Sequence, residues 1–187
     1  MQVIKDQVRT LSQASAEEVD EILEHLEKVE LRKGQFLLKA AQVCKQYYFL
    51  ESGTMRLYYH KNDQDYTVWI ATAGQIFTDL ESYLDQVKSR IIIEAIEPTV
   101  VYVISKQQSD QLAQISNAYN TLLRKTVEIA FVNLAKNVMS FQSDEAAERY
   151  KRVEEEKNWL SRYPLRYISS FIGITQSSMS RLRAKKG

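Results

Sequence analysis

The sequence is poor in the residues from which reactive sites are usually assembled. A single cysteine, Cys44, excludes an intrachain disulfide and any site built on four thiolates. The two histidines, His25 and His60, are far apart and lack metal-ligand spacing, so both read as surface residues and neither metal nor cofactor is expected. Asp79 and Glu81 are the one carboxylate pair in a pocket-like stretch, and no histidine, base-paired serine or phosphate-cradling glycine loop accompanies them. The chain is therefore not expected to be an enzyme. No apolar run approaches the length of a membrane span, and the opening Met-Gln-Val-Ile-Lys-Asp-Gln lacks the apolar core and cleavage site of a secretory signal. A cytoplasmic protein is the expectation.

Acidic residues are missing from one end. After Glu156 there is no Asp or Glu, whereas Lys157, Arg162, Arg166, Arg181, Arg183, Lys185 and Lys186 all follow it. Because the whole chain carries only +1, the part before must be net negative, which points to a local phosphate-contacting patch and not to a general polyelectrolyte binder. Otherwise the 187 residues, 44% hydrophobic and 26% charged, are those of an ordinary globular protein with room for two domains.

The basic end has a pattern. Leu165, Ile168, Phe171 and Ile172 follow helical spacing, Gly173 supplies the positive φ of a tight turn, and Thr175 can cap a second helix through its hydroxyl. Met179 and Leu182 form that helix's inward stripe, leaving Gln176, Ser177, Ser180, Arg181 and Arg183 outward. This is a helix-turn-helix with groove-reading side chains on its second helix, and Lys185 and Lys186 lie near enough to the helix end to touch phosphates.

Upstream, Ser15 with Glu18 makes a capping box for an amphipathic helix read from Ala14 to Val29, with Val19, Ile22, Leu23 and Leu26 inward. From Leu31 to Ser105 the period falls to about two. Strands are expected at Phe36 to Leu38, Tyr47 to Ser52, Thr54 to His60, Tyr66 to Thr72, Ile91 to Ile96 and Val100 to Ser105, separated by turn residues at the close spacing of a barrel or roll. Between Gly74 and Arg90 the rhythm lapses, and Ile76 to Leu84 can form a short helix beside a pocket. Helical period returns with Ser109 to Ile115 and then with Ala118 to Gln142, which contains no Gly or Pro. Leu123, Val127, Ala130, Leu134, Val138 and Phe141 make one stripe of that long helix, joined by Leu122, Ile129, Phe131, Val132 and Met139. So much apolar surface favours an intermolecular contact, a homodimer. Glu145 to Leu160 reads as one polar helix.

This order of elements resembles that of the cyclic-nucleotide receptor (Crp/Fnr) family of bacterial transcription regulators. The resemblance rests on Tyr47-Tyr48-Phe49-Leu50-Glu51-Ser52-Gly53, on Gly74-Gln75-Ile76-Phe77, on Ser89 with Ile93-Glu94-Ala95-Ile96, and above all on the run from Ile168 to Arg181. It implies an α+β fold: an N-terminal antiparallel β-roll over residues 1–116, a dimerisation helix over 117–142, and a helix-turn-helix domain over 143–187. It also implies double-stranded DNA and RNA polymerase as partners, a small-molecule effector or none, and DNA contacts by Thr175, Gln176, Ser177, Ser180, Arg181, Arg183, Lys185 and Lys186, with Arg181 as the base reader. The family's ligand cassette falls on Thr78, Asp79, Leu80, Glu81, Ser89 and Arg90. Where the cyclic-nucleotide binders have an Arg-Ser pair facing the phosphate, this sequence has Ser89-Arg90, which turns the arginine to the opposite face and predicts no response to cyclic AMP. Where the family continues into a β-hairpin wing, this sequence stops at Gly187, so a wingless or shortened form is expected. The alternative is a ligand-sensing signalling module whose C-terminal helical hairpin docks a protein partner.

Overall fold

The computed structural model describes residues 1–155 and 158–184. They divide into two units: Met1–Leu57 with Ile70–Ala130, and Tyr58–Trp69 with the chain from Phe131 onward. The expected α+β arrangement is present, with antiparallel sheets, a long helix and C-terminal helices.

The first unit opens with α1 (Gln2–Ser12) and α2 (Ala16–Glu24). Helix α1 has no local signal in the sequence, because no side chain near its start caps it. The cap comes from 50 residues away: the Glu51 carboxylate accepts from the amides of Val3 (3.3 Å) and Ile4 (3.0 Å) and pairs with the Met1 amine at 3.0 Å. Burial opposes ionisation of Glu51, yet the bonds from Ile4, the terminal amine and Val3 outweigh it and hold the carboxyl below its usual range. Ile4 and Val8, one turn apart and fully buried, are the face that α1 turns inward. In α2 the expected capping box is formed in both directions. The helix stops at Glu24, however, and the expected helical stretch to Val29 becomes β1 (Glu27–Leu31), paired antiparallel along its whole length from Glu27 opposite Val103 to Leu31 opposite Thr99.

The remaining strands are β2 (Phe36–Leu38), β3 (Gln46–Ser52), β4 (Thr54–Lys61), β5 (Gln64–Thr72), β6 (Ile76–Phe77), β7 (Ile92–Ala95) and β8 (Thr99–Ser105). They form two sheets of order β1-β8-β3-β6 and β2-β7-β4-β5. Tyr47 to Leu50 are buried as an unbroken run, because β3 is interior in its sheet and α1 packs on it as well. Gly53 joins β3 to β4 at φ +88°, and a Cβ there would stand 2.4 Å from Thr99 Oγ1 and 2.6 Å from the Pro98 carbonyl oxygen. Both the backbone conformation and the close approach of the chain before β8 require glycine.

Within the expected short helix, Ile76 and Phe77 are instead strand, and α3 (Leu80–Asp85) is the helical part. After β8 comes α4 (Lys106–Ile115), which begins earlier than expected because Ser105 and Gln108 form a second capping box. Ser116 caps α5 (Asn117–Ser143) through the Tyr119 amide at 3.1 Å. Ala118, Tyr119, Leu122 and Thr126 bury the inward face of its first turns. Leu122 therefore belongs to the core of the roll, not to an outer stripe.

The second unit contains the last half of α5, then α6 (Ala146–Glu155), α7 (Trp159–Arg162), α8 (Leu165–Phe171) and α9 (Gln176–Ala184), together with the facing ends of β4 and β5. The single polar helix expected over Glu145 to Leu160 is replaced by the two helices α6 and α7. Asn158, in the left-handed region at φ +66°, separates them. Among the described residues no helix is long and apolar enough to cross a membrane, and no group of three or more His, Cys, Asp or Glu could hold a metal ion.

Candidate nucleic-acid interface

Helices α8 and α9 are held together by Tyr167, Ile168, Ile172 and Met179, all buried. Gly173, at φ +69°, makes the turn between them, and the Ile174 amide bonds back to the Ser169 carbonyl at 2.9 Å. Thr175 caps α9 as its position suggests, its Oγ1 accepting from the Ser178 amide at 3.1 Å. With Met179 fully buried, the register of α9 is fixed, and Thr175, Gln176, Ser177, Ser180, Arg181 and Arg183 are exposed along it. Leu182 is half-buried and adds less to the inward stripe than its spacing suggests. The Arg181 guanidinium lies along its own helix, Nε 3.4 Å from the Ser177 carbonyl oxygen and Nη2 3.4 Å from Ser178 Oγ. Lys185 and Lys186 fall outside the described residues.

Two features of this unit have no local sequence signal. Residues 58–69 of the β4–β5 hairpin pack against α8: Ser170 Oγ accepts from the Thr67 amide (2.8 Å) and donates to the Asp65 carbonyl (2.9 Å). Phe171 lies between Trp69 and Trp159, with ring centroids at 6.5 and 5.6 Å. Second, Arg149 of α6 donates through Nε to the Ile172 carbonyl at 2.8 Å and through Nη1 to the Asp144 carbonyl, while its guanidinium lies 5.6 Å from the centre of the Phe141 ring. An arginine in a charged helix gives no sign of such long-range bonds.

On α5, Val127, Phe131, Leu134, Val138 and Phe141 recur at alternating steps of four and three and are 39%, 69%, 58%, 46% and 51% exposed. Of the other residues expected on this stripe, Ala130 is exposed and Leu123 half-buried. Phe141 also touches Gly173 and so serves the turn as well as the stripe.

In the roll, the cassette residues form two pairs of opposite character. Asp79 and Ser89 are buried, with Ser89 Oγ donating to the Asp79 carboxylate at 2.5 Å. Glu81 and Arg90 are exposed and paired with each other at 3.2 Å. Thr78 Oγ1 donates to the Gln46 carbonyl at 2.8 Å and lies 3.2 Å from Cys44 Sγ, which in turn is 3.7 Å from the Tyr48 hydroxyl. Burial pushes the Tyr48 phenol far above its ordinary value, so the hydroxyl stays neutral. Leu80 is exposed at the start of α3. An open cleft of about 450 Å³ nearby is lined by Leu37, Leu38, Gln42, Val43, Lys45, Gln46 and Tyr48, with none of the six expected cassette residues on its wall.

Comparison with known proteins agrees with this geometry. Residues 28–116 match the cyclic nucleotide-binding domain family, which places that domain on the two-sheet roll. Among solved structures, the chain is similar to CLP, the c-di-GMP responsive global regulator of Xanthomonas campestris (13% identity, TM-score 0.74, 91% of each chain covered). It is similar to FixK2 of Bradyrhizobium japonicum (17% identity, TM-score 0.72, 86% of this chain and 83% of that one). A transcriptional regulator of the crp/fnr family from Eubacterium rectale gives 13% identity and a TM-score of 0.71, over 92% and 83%. No curated protein sequence matches the chain. The chain shares its fold with these regulators, and residues 28–116 within it match the cyclic nucleotide-binding domain family.

Proposed function

We propose that the chain is a homodimeric, sequence-specific DNA-binding transcription regulator that does not respond to cyclic AMP. The observation that carries the reading is the outward row of α9, where Gln176, Ser177, Ser180 and Arg181 stand exposed over a buried Met179 in a segment free of acidic residues. An exposed arginine on such a row can fork onto the O6 and N7 of a guanine. The four-three row on α5 supports dimerisation, because its spacing is that of a two-helix seam and its side chains remain exposed. Two copies paired there would set two α9 helices against a near-palindromic site, with half-sites about 10 base pairs apart. RNA polymerase would be a further partner at such a site. Against cyclic AMP stands the charge of the cassette: of its two buried polar residues, Asp79 and Ser89, the one that can carry charge is a carboxylate, which would repel a phosphate, and Arg90 is turned out to Glu81.

Selection of bound sequences from random duplex DNA, followed by titration of the selected and a scrambled site, tests the proposal. Wild type should prefer the selected site with or without cyclic AMP. Arg181→Ala should lose about 1 to 3 kcal/mol on the selected site and almost nothing on the scrambled one. Equal losses on both would remove Arg181 from base reading, and no binding at low salt would remove the proposal.

A further inference from the structure

Arg149 satisfies the ends of two helices at once. The Asp144 carbonyl lies just past the last turn of α5, and the Ile172 carbonyl closes α8. Both are the negative ends of helix dipoles, and one planar guanidinium bonds both, Nε to Ile172 at 2.8 Å and Nη1 to Asp144. The same guanidinium lies over the face of Phe141, 5.6 Å from its centre. Phe141 Cε1 in turn occupies the space beside Gly173, where a Cβ would come within 2.9 Å of it. Arg152 closes the assembly from outside by pairing with the Asp144 carboxylate. The turn that launches α9 is thus fastened to the last turns of α5 by a bonded backbone carbonyl and by a ring seated against a glycine.

We propose that Arg149, acting through Phe141, is a positioning residue for DNA reading: it fixes the angle between the C-terminal half of α5 and the DNA-facing helix α9. The proposal rests on the reading of α9 and α5 given above. If two copies pair along α5, this joint sets the separation and rotational phase of the two α9 helices, and so the spacing of half-sites. One base pair changes that phase by about 35° and the separation by about 3.4 Å, more than a stiff joint accommodates. Lysine could bond one of the two carbonyls as a point charge, but it could not fork to both or lie flat on the ring.

The experiment measures binding to a series of selected sites in which the gap between half-sites is varied by one base pair in either direction. Wild type should prefer one spacing by roughly tenfold or more. Arg149→Met should reduce that preference to within about threefold while keeping the base preference inside each half-site, and Arg149→Lys should fall between. Simple destabilisation would weaken all spacings together. A second measurement needs no DNA: spin labels at Lys136 and Ser180, both exposed, in protein diluted with unlabelled chains. Wild type should give one narrow distance distribution and Arg149→Met a broad one. An Arg149→Met protein that keeps the wild-type spacing preference, or a narrow and unchanged distribution, overturns the joint. A wild type that binds no DNA overturns the DNA reading alone, because the label distances still decide whether Arg149 holds α9.

Discussion

Replacing Gly173 by alanine perturbs the turn at one atom, and the structure gives both parts of its cost. At φ +69° the backbone lies in the left-handed region, where an L-residue costs about 1 to 2 kcal/mol. The added methyl would stand 2.9 Å from Phe141 Cε1 and 3.4 Å from Cδ1. Because Phe141 is 51% exposed and not enclosed in a core, the overpacking term belongs at the low end of its range, about 1 kcal/mol. The sum, about 2 to 3 kcal/mol, shifts the equilibrium between folded and unfolded second unit by roughly thirtyfold or more. Tryptophan fluorescence in urea suits the measurement, since both tryptophans of the chain, Trp69 and Trp159, lie in the second unit against Phe171. In a Phe141→Ala background the methyl has no ring to meet, and Gly173→Ala should then cost about 1 kcal/mol less. A cost below about 0.5 kcal/mol in the wild-type background would refute the strain argument. The same cost in both backgrounds would refute the contact between ring and turn.

Glu51 is a second point of leverage. Its folded-state carboxyl titrates below the ordinary value of 4.5, so the stability it contributes is full above that pH and is lost as pH falls through the lower, folded value. Glu51→Gln should therefore cost about 1 to 2 kcal/mol at neutral pH, read as thermal unfolding by circular dichroism, with the difference from wild type shrinking in acid. A difference that stays constant from pH 7 to pH 3 would show that the carboxylate charge does not cap α1. For the seam, Leu134→Glu would bury an unpaired charge at a cost of about 3 to 5 kcal/mol, and should turn a dimer at micromolar concentration into a monomer in sedimentation. A wild type that sediments as a monomer would contradict the seam.

The parts of the fold legible in the sequence are those whose signals are local. Ser15 with Glu18, the two-residue period from Tyr47 to Thr72, Gly173 at the turn and Thr175 at the cap each act within a few residues, and each has its expected local structure. What sequence reading misses is made by partners distant in the chain. Helix α1 depends on a carboxylate from β3, and β1 is a strand because it has β8 to pair with: Glu-Lys-Val-Glu-Leu alone suits a helix equally well. The outward row of α9 follows from Met179 and the turn. Arg149 and Ser170 make their bonds only when elements remote in sequence meet, two helices for Arg149 and a helix with a strand for Ser170.

The bonds from Ser170 to Asp65 and Thr67 also bear on how fragments of this chain would behave. β5 is the outer strand of its sheet and nine residues long, with Val68 exposed, the kind of edge that recruits another strand. Along that edge a single serine hydroxyl on α8 accepts from the Thr67 amide and donates to the Asp65 carbonyl. A fragment that ends at Ala130 loses that hydroxyl and leaves the strand open to edge-on stacking with its own copies. Such a fragment should therefore self-associate through β5 where the whole chain does not.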